Sequence, residues 1–210
     1  EQEKDMIANL LPDNSGRRTS QKKKNITVII GNPPYSAKQK DTNDNAQNLR
    51  YKNLDNQIEN LYAKHTETTL KGALYDSYVR AFRWASDRVK ENAVIGFITN
   101  GGWIDSIAHS GFRKCLSDEF DKIYVFHLRG NARTSGEMRR KEGGNVFDVG
   151  SRAPIALTFL IKKKKSNGEK KILYYDIGDY LKREDKLSII SNFESIAGII
   201  ERKGFTEITP

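Results

Sequence analysis

Five consecutive residues, Gly31-Asn32-Pro33-Pro34-Tyr35, combine groups that could activate an amine. Asn32 offers a side-chain carbonyl, and the Pro-Pro segment offers a backbone carbonyl at fixed geometry with no competing N–H. Two such acceptors can draw the hydrogens of a ring-bound NH2 out of the ring plane. Electron density then returns to a nitrogen whose lone pair is otherwise delocalised, as at adenine N6. Tyr35 supplies a flat surface on which an extruded base can stack, worth about 1–3 kcal/mol. No strongly basic group is required if a sulfonium donor is held in line, because positioning can supply most of the rate. The alternative is a plain turn, which any loop could contain. An apolar strand directly before the motif makes that alternative narrower.

That strand is Ile26 to Ile30, β-branched and nearly all apolar, as expected for a strand buried on both faces. The two prolines end it, so the motif is a loop at the strand's carboxyl end. Ala93 to Thr99 is a second buried strand, ending in Asn100-Gly101-Gly102. Between them, residues 36–60 are polar and Asn-rich and read as a long surface loop. From Leu74 an amphipathic helix follows, with Tyr75, Tyr78, Val79, Phe82, Ala85 and Val89 as its apolar stripe. Arg80, Arg83, Asp87 and Arg88 fall on its other faces. A short helix at Phe112 to Phe120 precedes a strand at Lys122 to Leu128. Further strands are expected at Ala153 to Lys162 and Lys171 to Tyr175, and helix over 179–203 with a turn at Gly198. Residues 1–25 read as an exposed linker with one helical turn at Met6 to Leu11. No internal repeat is present. This order is the second half of an open α/β sheet, in which ligands bind at the carboxyl ends of the strands. Loops 31–35 and 100–102 both fall there.

Residues 129–152 place Arg129, Arg133, Arg139, Arg140, Lys141 and Arg152 among five glycines. Arginines on such a backbone can approach phosphates closely. Glu137, Glu142 and Asp148 among them leave open a merely solvated loop. The three histidines, His65, His109 and His127, share no metal-ligand spacing, and no metal site is expected. His127 reads as a packed residue in a strand, Trp103 as a core residue and Cys115 as an inert helix position.

The 210 residues carry 36 Lys and Arg against 27 Asp and Glu, a formal net charge of +9. Such an excess favours a polyanionic partner through counterion release, although a Lys-rich surface can also serve solubility alone. The longest apolar runs are too short to span a bilayer, and the polar, charged start shows no signal peptide. One cysteine excludes an internal disulfide framework. A cytoplasmic protein without a membrane partner is expected.

GNPPYS after a buried strand resembles the catalytic motif of amino-methyltransferases acting on adenine in DNA. AVIGFITNGGWI, SGFRKCLSDEF, IYVFHLRG and GNVFDVGSRAPIALTFLIKK resemble the segments that follow it in that family, in order. DNAQNLRYKNLD, LYDSYVRAFRWASDR and GNARTSGEMRRKEGGNVFDVGSR carry a narrower similarity to type ISP restriction–modification enzymes. In those, nuclease, helicase, methyltransferase and target-recognition parts share one polypeptide. The resemblance covers roughly residues 25–200. It implies the C-terminal half of a Rossmann-like class I methyltransferase sheet, mostly parallel with an antiparallel pair at the end. It also implies Asn32 and the Pro33 carbonyl as acceptors from the target amine, Pro34 holding the rigid turn, Tyr35 stacked on the base, and Phe147 packed against it. Arg129, Arg133, Arg139, Arg140 and Arg152 would hold the phosphates of double-stranded DNA.

The cofactor implied is S-adenosylmethionine, whose glycine-rich loop precedes the motif strand in these families. Only Gly16 is available there, so the sequence reads as a fragment. Its cofactor-binding half would lie upstream and its target-recognition domain downstream. The division expected is a linker over 1–24, the catalytic half over 25–176, and a helical connector over 177–210. On its own the fragment should bind cofactor poorly and be inactive. Two other functions stay open: a protein-glutamine or RNA methyltransferase, and a DNA-binding module without catalysis.

Overall fold

Apolar runs separated by glycine and proline build a six-stranded sheet with helices on both faces. The computed structural model describes residues 12–34, 51–148, 151–164, 170–201 and 204–208. The strands are β1 (Ile26–Gly31), β2 (Val89–Asn100), β3 (Lys122–Arg129), β4 (Ile155–Lys162), β5 (Lys171–Asp176) and β6 (Thr206–Ile208). Their spatial order is β1-β2-β4-β3-β5-β6. β1 pairs with β2 and β3 with β5 in parallel, while β4 runs antiparallel to both its neighbours and β6 antiparallel to β5. Four strands therefore point one way and two are reversed, a mixed α/β sheet. The carboxyl ends of β1, β2, β3 and β5 and the amino end of β4 share one edge.

Side-chain alternation sorts the sheet into two cores. Ile95 and Phe97 of β2, Ile123 and Val125 of β3, and Leu160 of β4 point into the larger one. There they meet α3 (Ser77–Arg88), α4 (Ser110–Glu119), and α2 (Lys52–Ile58) with the π-turn Glu59–Ala63 that continues it. Phe126 and Leu128 face the other side, against Phe193 of α6 (Arg183–Phe193) and Ile199 of α7 (Ile196–Glu201). Trp103 lies in the larger core, packed edge-on to Phe82 and Phe112. Among the described residues no helix is long and apolar enough to cross a membrane.

Several local expectations change. Residues 12–23 form a helix, α1 (Pro12–Lys23), rather than a linker. Pro12 opens it, Asp13 suits its positive end and Lys22 and Lys23 its negative end. It presents no apolar stripe, so periodicity cannot reveal it. The helical turn expected at Met6 to Leu11 lies outside the described residues. Part of the polar stretch 36–60 is α2, anchored by Ile58, with Tyr62 and Ala63 of the following π-turn also buried. Arg83 points inward, 4% exposed, and binds Glu119 at 2.6 Å and Asp87 at 2.7 Å. It ties α3 to the end of α4, since a buried guanidinium needs such partners. The turn expected at Gly198 falls instead at Glu194, whose φ is 54°, and Gly198 lies within α7. β6 returns to the sheet and is a strand, not part of a helical connector.

β1 also differs. Ile29 packs on the larger core, but Val28 is 56% and Ile30 83% exposed. β1 is an edge strand, and α6 and α7 pack on β3 and β5 instead. Among the described residues, one face and one hydrogen-bonding edge of an apolar strand are thus open.

Gly111 sits where α4 crosses the π-turn. A Cβ there would lie on the Tyr62 carbonyl oxygen and 2.6 Å from Thr66 Oγ1. Helix propensity alone would make Gly111→Ala stabilising by up to about 1 kcal/mol. Overpacking reverses the sign, and we expect a loss of about 1–3 kcal/mol in urea denaturation. A stabilised variant would show that the crossing is looser than described.

Candidate active site

The loops of the common edge follow the sheet order. At the end of β1, Asn32 and Pro34 are exposed and Pro33 is half-buried. Asn32 therefore stands on the edge rather than in the core; Tyr35 lies outside the described residues. Next to it, Asn100 ends β2 and caps a 3₁₀ turn (Gly101–Trp103), its Oδ1 accepting from the Gly102 N–H at 2.8 Å. The Gly101 N–H donates to the Pro154 carbonyl at 2.7 Å, joining this loop to the start of β4. Gly101 lies against the His127 ring, 3.2 Å from where its Cβ would stand. His127 is packed as expected, with Nδ1 2.9 Å from the Tyr174 hydroxyl, and burial lowers its pKa.

The described part of the basic stretch folds around a short helix, α5 (Gly136–Glu142). Asn145, Glu142 and Lys186 help to fasten it. Asn145 Nδ2 donates to the Gly130 and Ala153 carbonyls at 3.1 and 2.9 Å, and its Oδ1 accepts from the Phe147 N–H at 3.0 Å. Glu142 accepts from the Asn131 N–H at 2.8 Å. Lys186 of α6, fully buried, donates to the Leu128, Glu142 and Gly144 carbonyls, each at 2.8 Å. Burial pushes its ammonium down to about 8. Gly143 has φ 65°, and any Cβ would strike the Leu181 carbonyl, so the α5 turn can pack this closely only with glycine.

Phe147 is 38% exposed, and its N–H is held by the same Asn145 that joins the residues just after β3 and just before β4. β1 and β4 are two strand spacings apart, about 10 Å. Asn32 and the Phe147 loop thus lie on either side of the end of β2.

The five arginines separate. Arg129 makes a paired contact with Asp176, at 2.6 and 2.9 Å, and reaches Asp179 at 2.6 Å. Burial works against ionisation of Asp176, but hydrogen bonds from Arg129 outweigh it and hold the carboxyl below its usual range. Arg139 donates to the Gly143 carbonyl at 2.6 Å. Both are engaged in holding the loop. Arg133, Arg140 and Arg152 are exposed, Arg140 beside Glu137 at 3.4 Å.

With that geometry in place, relationships to known proteins become informative. The sequence pattern described as Eco57I restriction-modification methylase matches residues 2–132. The chain belongs to that family. A search of curated proteins finds no match to this methylase chain. Among solved structures it is similar to a nuclease-deletion mutant of the Type ISP restriction-modification enzyme LlaGI in complex with a DNA substrate mimic. That similarity is 46% identity over 95% of this chain and 18% of the other, with a TM-score of 0.86. The ATP-dependent Type ISP enzyme LlaBIII bound to DNA gives 42% identity, 94% and 13% coverage, and a TM-score of 0.85. A DrdV–DNA complex gives 38% identity, 94% and 18% coverage, and 0.82. The methylase chain thus spans less than a fifth of the length of each.

Some residues that shape this edge escape a reading of sequence. Lys186 looks like any exposed lysine of a helix, and nothing local marks it. Asn145 and Asn100 each neighbour a Gly-Gly pair, a usable hint of tight backbone needing side-chain support. Asp176 and Asp179 are not adjacent to the basic stretch in sequence and meet Arg129 only through the β3–β5 pairing.

Proposed function

We propose that the chain is the target-amine half of an S-adenosylmethionine-dependent DNA methyltransferase that modifies adenine N6 within a restriction–modification enzyme. The observation that carries this is an exposed Asn32-Pro33-Pro34 segment on the edge shared with the Phe147 loop, in a chain of a restriction–modification methylase family. Asn32 Oδ1 and the Pro33 carbonyl would accept from the two hydrogens of the target amine. Tyr35 and Phe147 would hold the flipped base. Bound S-adenosylmethionine would supply the electrophilic methyl group. Among the described residues the end of β1 would offer acceptors toward such a donor, and α1 holds a single glycine, Gly16. The remaining cofactor contacts would come from the open side of β1, where Val28 and Ile30 await a neighbouring strand. In the longer protein that neighbour would be the cofactor-binding half.

The test is product identity. The intact protein, given labelled S-adenosylmethionine with duplex DNA, RNA or a glutamine-bearing peptide, should yield N6-methyladenine from duplex DNA. Label appearing only in RNA or peptide would overturn the reading, and none in any substrate would favour a non-catalytic DNA-binding module.

Arg133, Arg140 and Arg152 are the arginines of the loop best placed for phosphate contacts, while Arg129 and Arg139 act by fixing its shape. Replacing Arg133 and Arg140 with Ala should lower duplex affinity and reduce the salt slope, d log K/d log[salt], by about two. An unchanged slope would remove this loop from the phosphate contacts.

A further inference from the structure

The positive charge of the protein is not concentrated at its candidate site. The described loops of that edge, residues 31–34, 100–106, 129–148, 151–154 and 176–181, hold six Lys or Arg and six Asp or Glu. Arg129, Arg140 and Lys141 all have carboxylates beside them. The opposite edge is different. There the amino ends of β2, β3 and β5 meet the carboxyl end of β4, with Lys122 in register with Lys171 and Ala93 with Lys162. α1 ends at the same edge, where the carbonyl of Lys24, the residue after it, accepts from Arg88 at 3.2 Å. Residues 22–24, 88–92, 121–122, 162–164, 170–171 and 206–208 hold eleven Lys or Arg against three Asp or Glu.

This excess is open to solvent. Lys90, Lys122, Lys163, Lys164 and Lys170 are exposed. The acids present neutralise little of it: Glu91 pairs with Lys164 at 2.9 Å, Glu207 with Lys171 at 2.9 Å, and Asp121 accepts from the Lys163 backbone at 2.6 Å. Surface pairs of this kind hold their partners weakly. A row of lysines set by strand spacing, with compact, hydrated charges and no aromatic side chain to stack a base, matches a phosphate backbone read without regard to sequence.

We infer that this amino edge is a second DNA-backbone contact, engaging duplex flanking the target rather than the target itself. Ala93 and Asn100 are seven residues apart on β2, so the two edges are separated by about 23 Å. A duplex with about 5 bp on each side of the target adenine, roughly 17 Å, would not span that distance. A duplex several times longer would. The inference rests on the DNA reading proposed above, and binding of the unaltered protein to the short duplex tests that reading separately.

The experiment compares the intact protein with a Lys90→Ala, Lys122→Ala, Lys163→Ala, Lys164→Ala variant on short and long duplexes across a salt series. These are exposed positions, so folding should be unaffected. On the long duplex the salt slope should fall by up to about 3.6, because each of the four phosphates no longer neutralised removes about 0.9 from it. Short-duplex affinity and methylation rate should stay unchanged. The same four positions changed to Arg should restore the long-duplex slope. An unaltered long-duplex slope would overturn the inference. So would an equal loss on both duplexes, or a variant whose only defect is looser assembly of the intact protein, which would assign the lysines to an acidic protein surface.

Discussion

Replacing Asn32 with Ala in the intact protein should lower the single-turnover rate of DNA methylation by about 10²–10³-fold, with duplex affinity nearly unchanged. The size follows from what one preorganised hydrogen-bonding group contributes at a reacting centre, about 2.7–4 kcal/mol. Asn32 would stabilise a state in which the amine has left conjugation with its ring, and that geometry is reached only on the way to transfer. The interaction is therefore stronger in the transition state than in the bound ground state, and its loss falls on rate rather than binding. The exposed position of Asn32 at the end of β1 keeps the substitution from disturbing the core. Asn32→Asp separates charge from geometry: it keeps an acceptor oxygen but places an anion beside the reacting centre. A variant losing rate and affinity in equal measure would make Asn32 a general DNA contact, and one losing neither would end the proposed role of the motif.

The strands that carry the site were legible because their chemistry is local. Ala93 to Thr99, Lys122 to Leu128 and Ala153 to Lys162 are apolar runs bounded by polar or charged residues, and each lies within a strand or overlaps one closely. The motif was equally plain, since two prolines after a strand permit only a loop. What stayed hidden depends on neighbours. Ile26 to Ile30 reads as buried from its own side chains, but Ile30 is 83% exposed, and none of the described elements packs on its outer face. α1 has no apolar stripe, and β6 is three residues long and is held by pairing with β5. Arg83 and Lys186 share the same cause: their burial is decided by carboxylates and carbonyls far away in sequence.

Lys186→Met should be the most damaging single change outside the motif. Methionine matches the length of the lysine stem and keeps its packing, so the effect isolates the ammonium. Without it the carbonyls of Leu128, Glu142 and Gly144 lose a shared partner, and each orphaned acceptor in a buried place costs about 1–3 kcal/mol. Partial relaxation brings the expected loss to about 3 kcal/mol or more. That loss should be local first. The larger core is built from α2, α3, α4 and the sheet face opposite α6, and Lys186 takes no part in it. The end of β3, the end of α5 and the turn at Gly144 would come apart, releasing the frame that carries Asn145 and Phe147. Amide exchange should accelerate at Gly130 and Gly144, whose N–H groups donate to the Glu142 and Leu181 carbonyls, while β2 remains protected. Methylation should fall together with that protection if Phe147 holds the flipped base as proposed. Wild-type exchange in this region, or lost protection with an unimpaired methylation rate, would separate Lys186 from the site and leave it a packing residue alone.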